Sequence, residues 1–239
     1  MKKDIKKKDV EKKSGRHEPE RIMENDKARS KFFRSVIAFL DNGSLSESPD
    51  QIVRSVLVTL SKQLDTGHAA FYRGVPAEGL FRYKDSLDHG KASHPPAFEI
   101  DSAFTRWVGK EQKPVFIDGF YSGAGDLNPR EMEFLSRIDE NGFSYACVVG
   151  DNHHLYGMIF FGGGSEGKSY SGPEFEFVEM LSKAAAVKIR DASLINDAAE
   201  FKKRIELFDH FRQEVFKRNR DRLKTPCLLY TSPSPRDRS

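Results

Sequence analysis

The sequence predicts an α+β fold: a central antiparallel sheet flanked by helices, with a long C-terminal helix of coiled-coil character. Three observations carry this expectation. Two apolar runs, Gly142–Gly150 (GFSYACVVG) and Leu155–Phe161 (LYGMIFF), flank the short polar turn Asp151–His154, the pattern of an antiparallel hairpin. Between Phe32 and Ser193 the order reads helix, three strands, helix, strand, helix, the hairpin and a final helix. That last helix starts near Pro173 and runs on without a breaker well past the sheet-packing residues.

Composition bounds the rest. With 239 residues, 38% hydrophobic and 31% charged, the chain is too polar to be globular throughout, and a domain of about 150 residues with solvated helical extensions fits better. A net charge of +3 creates no whole-chain field for nucleic acid. No apolar run approaches the ~18–20 residues that span a bilayer, and no apolar segment follows the charged N-terminus as in a secretory signal. Two cysteines, Cys147 and Cys227, form neither a disulfide framework nor a metal spacing. The expected address is the cytoplasm, with neither nucleic acid nor membrane as partner.

Residues 1–31 alternate blocks of charge with almost no large apolar side chain, so they are expected to be disordered or a frayed, solvated helix. The cluster of lysines in this tail has no interleaved aromatics, and solubilisation accounts for it. Phe33, Val36, Ile37 and Leu40 then recur at helical spacing as far as Asn42-Gly43, a left-handed cap. Ser48-Pro49 starts a second helix, with Ser48 as N-cap and an apolar face of Ile52, Val53, Val56, Leu57, Leu60 and Leu64. His68–Arg73 and Leu80–Tyr83 read as strands, residues 88–96 as loop, and Phe98–Ile100 as a short strand. Asp101 or Ser102 caps a helix that runs through Val108 to Gly109. Pro114–Asp118 is a strand, residues 119–129 a Gly/Asp/Asn loop, and Pro129–Ile138 a helix.

In the final helix, Phe177, Val178, Leu181, Ala185 and Ile189 face the sheet. Beyond them Leu194, Ala198, Phe201, Ile205, Phe208 and Val215 follow spacings of four, three, four, three and seven, a coiled-coil seam that predicts a homodimer. Arg212 interrupts this seam, with Phe211 as a substitute, and an ordinary amphipathic helix packed on its own domain is the alternative. The organisation expected is a tail (1–31), a domain (32–193), a signalling helix (194–226) and a terminal segment (227–239). The terminal CLLYTSPSPRD run resembles the in-frame translation of a transposase-based sequencing adapter, so residues 227–239 are read as non-native and Cys147 as the only natural thiol.

Three passages carry a resemblance over about Phe32 to Ser193: the helix from Ala103-Phe104 ending in Gly109–Ile117 (GKEQKPVFI), the stretch Gly142–Phe161 with Tyr156-Gly157-Met158-Ile159, and the closing Ala184–Ile189 (AAAVKI). In their order and spacing they resemble a GAF domain, a sensory and regulatory module of signalling proteins. The family implies a central antiparallel sheet with helices on one side and a ligand cavity on the other. Val149-Gly150 departs from the many members that have a proline after this strand. Members bind cyclic nucleotides, tetrapyrroles, haem or metabolites, and some bind nothing known, so no cofactor is named. The cyclic-nucleotide type has Asn-Lys where this chain has Gly162-Gly163. Bilin attachment needs an exposed cysteine, whereas Cys147 sits within a strand. The sulfoxide-reductase branch uses several cysteines.

The resemblance suggests a pocket lined by Phe104, Trp107, Phe120 and Tyr145, with Asp118 orienting a polar group of an unidentified small molecule. Plain core packing of these rings, and turn capping by Asp118, are the alternatives. Gly162–Ser169 (GGGSEGKS) matches the phosphate-binding P-loop pattern, but Tyr170–Pro173 separates it from the helix and no later strand can complete a parallel unit, so a flexible connection is expected. His153-His154 lacks a third metal ligand, and Asp221–Pro226 (DRLKTP) resembles a histidine-kinase phosphoacceptor box with aspartate in the histidine's place. The sequence therefore reads as a cytoplasmic sensor without catalytic or metal-binding residues, relaying its state through the helix to an output segment beyond Pro226. The alternatives are the sensor part of a truncated histidine kinase and a nucleotide-binding protein using Gly162–Ser169.

Overall fold

The computed structural model describes residues 4–41, 47–88, 96–123, 127, 129–151, 154–164 and 169–224, with side chains from Ile22 to Arg218 among them. The elements are α1 (Asp4–Asp41), α2 (Pro49–Leu64), β1 (His68–Val75), a 3₁₀ turn (Pro76–Glu78), β2 (Leu80–Asp88), β3 (Phe98–Glu99), α3 (Ala103–Glu111), β4 (Val115–Phe116), α4 (Asp118–Gly123), α5 (Pro129–Glu140), β5 (Tyr145–Gly150), β6 (Leu155–Phe161) and α6 (Gly172–Lys224). The strands form one six-stranded sheet in the order β3-β2-β1-β6-β5-β4, and every neighbouring pair is antiparallel. The fold class is thus α+β, as the element order predicts. The contacts divide the chain at Ser193/Leu194 into two units. No helix among the described residues is long and apolar enough to cross a membrane.

Both faces of the central strands are covered. On one face Ala69, Phe71, Tyr145, Cys147, Val149, Ile159 and Phe161 pack against α1, α2 and the first part of α6. On the other, Ala70, Tyr72, Phe81, Ala146, Met158 and Phe160 pack against α3, α4 and α5. Successive residues of a strand point to opposite faces, so the register decides which layer each side chain enters. Here Phe71 and Cys147 both flank Ile159, while Tyr72 lies opposite Met158 and Ala146 opposite Phe160.

The helices follow local chemistry. At α2, the Ser48 hydroxyl accepts from the Gln51 N–H at 3.3 Å and the Gln51 side chain accepts from the Ser48 N–H at 2.8 Å, a complete capping box behind Pro49. Ile52, Val53, Val56, Leu57, Leu60 and Leu64 are all buried, as their spacing predicts. In α1, backbone helix begins at Asp4, so the tail, expected to be either disordered or a frayed, solvated helix, lies within a helix from residue 4 on; its Lys, Glu and Arg content favours helix over other regular structure. The inward face of α1 differs from expectation by one residue: Phe32, Val36 and Phe39 are buried, whereas Phe33 is 56% exposed and Ile37 and Leu40 are also exposed. Contacts to α6 set this rotation. Phe32 stacks on Phe177 with ring centroids 4.9 Å apart, Arg29 donates two bonds of 2.8 Å to the Glu176 carboxylate, and Lys188 donates to the Phe39 carbonyl at 3.0 Å. The Arg29 bonds raise its own pKa and lower that of Glu176.

Three further boundaries differ from expectation. β2 is longer than Leu80–Tyr83, because β1 pairs with it as far as His68↔Asp88. α3 runs through Gly109 to Glu111 and ends at Gln112 in the left-handed conformation (φ 49°), since a single glycine weakens a helix without terminating it. Part of the expected loop 119–129 forms α4, which starts directly after the short strand β4. The expected cap at Asn42-Gly43 and the segment 227–239 lie outside the described residues.

Gly157 marks the tightest approach in the sheet. A Cβ there would run into the Phe71 ring and lie 2.7 Å from the Tyr72 carbonyl oxygen, so neither neighbour can yield without shifting β1. Gly157→Ala is expected to destabilise the fold by about 1–3 kcal/mol, the usual cost of overpacking a core, read as a lower urea midpoint at unchanged slope.

Candidate functional site

Three of the five predicted pocket residues meet. Phe104 and Trp107 come from one face of α3 and Phe120 from α4, with ring centroids 5.3 to 6.2 Å apart. Their helix is held at its start by Ser102, whose hydroxyl accepts from the Thr105 N–H at 3.1 Å, and by the Glu131 carboxylate, which accepts from the Ala103 N–H at 2.6 Å. Asp118 sits at the first position of α4, exposed, where a carboxylate complements the helix dipole. Gly119 lies beneath the Trp107 ring.

Tyr145 is elsewhere. Its ring is on the opposite face of the sheet, stacked on Phe161 at 5.2 Å and beside Tyr170 and Phe175 under α6. The pairing Tyr145↔Phe161 puts both on that face, and Ala146 takes the place toward α3. The structure thus separates Tyr145 from Phe104, Trp107 and Phe120 by the thickness of the sheet.

Next to Phe104 the space between sheet and helices is occupied by side chains. Phe98 stacks on Phe134 at 4.0 Å, and Tyr72 and Phe160 close around them at 5.4 to 6.2 Å. Phe134 and Phe160 also reach Phe104 at 6.1 Å. Rings at these separations touch, so this face is built as an aromatic core among the described residues.

The hairpin and the loop behind it have their own chemistry. Cys147 is fully buried with its thiol 3.4 Å from the Ser182 hydroxyl, and burial pushes its pKa up to about 12, far from thiolate reactivity. Tyr170 donates to the Gly162 carbonyl at 2.9 Å, and Thr66 bridges to Gly164, which fixes the start of the glycine loop against the end of α2. α6 begins only at Gly172, and every strand pairing is antiparallel, so the parallel strand–loop–helix unit of a P-loop is not formed by the described residues. Lys168 lies outside them, as do His153 and Thr225-Pro226. His154 is exposed beside Asp151, and no group of three or more metal-ligating side chains gathers among the described residues.

A cleft of about 550 Å³ opens instead between the β5–β6 hairpin, the end of α3 and α6. Val148, Leu155, Ala186 and Val187 give it apolar walls, and Asp151, Lys183 and Arg190 stand at its rim. Sequence reasoning missed it, because its walls come from three separate segments, residues 109–112, 148–155 and 182–190. In the second unit, α6 carries a row of exposed apolar side chains: Leu194, Phe201 (65% exposed), Ile205, Phe208 (67% exposed) and Val215 at the predicted seam positions, with Ala198 also exposed. Phe211 is exposed as well, and Arg212 pairs with Asp209 at 3.3 Å.

No family model matches the sequence, and no curated protein matches it. Among solved structures, the fold is similar to the GAF domain of an Acinetobacter phosphoenolpyruvate-protein phosphotransferase, at 12% identity and a TM-score of 0.50, covering 70% of this chain and 94% of that one. It is also similar to the chromophore-binding domain of an unusual bacteriophytochrome from R. palustris, at 14% identity and a TM-score of 0.51, covering 70% of this chain and 63% of that one. The class of structure is therefore the GAF fold, as the order and spacing of the three sequence passages imply.

Two outcomes follow from this geometry. Phe134→Ala should cost about 3–5 kcal/mol, because four aromatic neighbours lose their contact and the site cannot collapse, and urea denaturation measures it. At alkaline pH the raised Cys147 pKa (ordinarily 9.0) and Tyr170 pKa (ordinarily 10.0, also pushed to about 12 by burial) act together. Their neutral forms are the ones the fold accepts, so stability holds below pH 9 and falls as pH rises from 9 toward 12. Urea midpoints at pH 8, 9.5 and 11 would show it, with a shallower decline in Cys147→Ala.

Proposed function

We propose that this chain is a non-catalytic sensory or regulatory GAF domain that works as a homodimer and passes its state along α6 to an output segment beyond Pro226. The observation that carries the reading is the contrast along this one helix. Phe177, Val178, Leu181, Ala185 and Ile189 are buried under the sheet, while Leu194, Phe201, Ile205, Phe208 and Val215 are exposed at heptad spacing. A solvated row of large apolar groups at a and d positions costs free energy until a partner covers it, and an identical helix is the partner that such spacing fits. A shift in how the domain grips the buried half of the helix would then reach the paired half as a change of register or separation. One structure of similar fold is the GAF domain of a phosphoenolpyruvate-protein phosphotransferase and another is the chromophore-binding domain of a bacteriophytochrome, which is in keeping with a regulatory role.

Sedimentation equilibrium of the full chain tests the pairing. The wild type should be dimeric at micromolar concentration, and Phe201→Glu/Phe208→Glu should be monomeric with an unchanged thermal midpoint for the domain, since neither residue belongs to its core. A monomeric wild type up to several hundred micromolar would remove the proposal.

A further inference from the structure

We propose that the exposed part of α6 pairs with a second copy of itself in parallel and in register, an arrangement that deepens the homodimer reading above and rests on it. The seam sets the frame. With Leu194, Phe201, Phe208 and Val215 at the d positions of a heptad abcdefg, Ala198, Ile205 and Arg212 fall at a. The positions beside the seam follow by counting: Asp197, Arg204 and Phe211 stand at g, and Lys202, Asp209 and Phe216 at e. All six belong to the described helix, and Phe211 and Phe216 are exposed on it.

In a parallel, in-register pair each g residue meets the e residue that opens the next heptad's flank on the other chain, and these contacts choose partner and orientation. Here they are Asp197 with Lys202, Arg204 with Asp209, and Phe211 with Phe216 of the second copy. Two join opposite charges and the third joins two aromatic rings, and two-fold symmetry makes each contact twice. An antiparallel pair sets g against g and e against e. At full overlap of the seam it would bring Arg204 to Arg204 and Lys202 to Lys202, so like charges reject that orientation. Within one chain Arg204 lies 3.8 Å from Glu200 and Asp209 lies 3.3 Å from Arg212, both as exposed neighbours on the same helix. A guanidinium has five N–H donors and a carboxylate about four acceptor sites, so each keeps capacity for a contact across the seam. The Asp209 carboxylate also offsets the charge of Arg212, which the parallel pair brings opposite its own copy.

Oxidative cross-linking of the full chain reads the orientation. In a Cys227→Ser background, Ala198→Cys should form a disulfide between the two chains, because equal a positions meet only in a parallel, in-register pair. Lys203→Cys, at f on the outer side of the helix, should not, and Cys147 is buried and stays out of the reaction. Sedimentation equilibrium reads the flanks. Arg204→Glu and Asp209→Arg should each raise the dimer dissociation constant at least ten-fold, since each sets like charges together twice. An equimolar mixture of the two variants should pair at least ten-fold more tightly than either does with itself, because opposite charges then meet on both sides. The charges along each helix are the same in the mixture as in its parents, so only a contact between chains can produce the recovery. A dimeric chain in which Ala198→Cys fails to cross-link, or a mixture no tighter than its parents, would overturn the parallel register and leave the dimer. A monomeric wild type would remove both.

Discussion

The structure depends on the burial of both faces of its three central strands. β1, β6 and β5 lie in the middle of the sheet, and most of their residues are sealed from water on one side by α1, α2 and α6 and on the other by α3 to α5. An antiparallel sheet more often leaves one face wet and alternates polar with apolar residues. Here the alternation is between two different cores, so each strand reads as a continuous apolar run. The close approach at Gly157 belongs to the same constraint, since the Phe71 ring lies over β6 where any larger side chain would stand.

That two-sided burial shapes what each face can do. The face toward α3 and α5 is filled by stacked rings, with Phe98 and Phe134 at 4.0 Å, and aromatic packing of this density resembles the interior of a crystal more than a vacant pocket. The face toward α6 is closed by aromatic, aliphatic and small residues, Phe177, Leu181 and Ala185 among them. Space for a small molecule remains at the margin, where α3 ends at Gln112 and the ends of β5 and β6 face α6. Charged side chains can reach such a margin while still touching water, which is why the polar groups of the cleft gather there and not within either core.

Along α6 the same polymer chemistry serves two environments. Its buried stretch has residues spaced to meet a sheet, and its exposed stretch has residues spaced at three and four to meet another helix. After Pro173 in its first turn, where proline is tolerated, neither stretch contains another proline or a left-handed stop, so one helix of 53 residues results. Arg29 and Lys188 show how α1 is locked to the buried stretch, one through a bidentate carboxylate contact and the other through a backbone carbonyl.

Local chemistry in the sequence determined much of this. Ser48 and Gln51 form their capping box through neighbours three residues apart, the hairpin strands are set by apolar runs around a polar turn, and the length of α6 follows from the lack of a breaker. The α+β class and the GAF-like element order were legible for the same reason: they depend on interactions within a few residues. Tertiary structure decided three things that such patterns leave open. Strand register carried Tyr145 to the α6 face, because one step along a strand exchanges the two cores. Stacking on Phe177 chose Phe32 over Phe33 as the inward residue of α1, since both lie within the same apolar arc and only the partner helix distinguishes them. The cleft at the hairpin exists only once α3, the hairpin and α6 come together, for its lining is divided among these three segments.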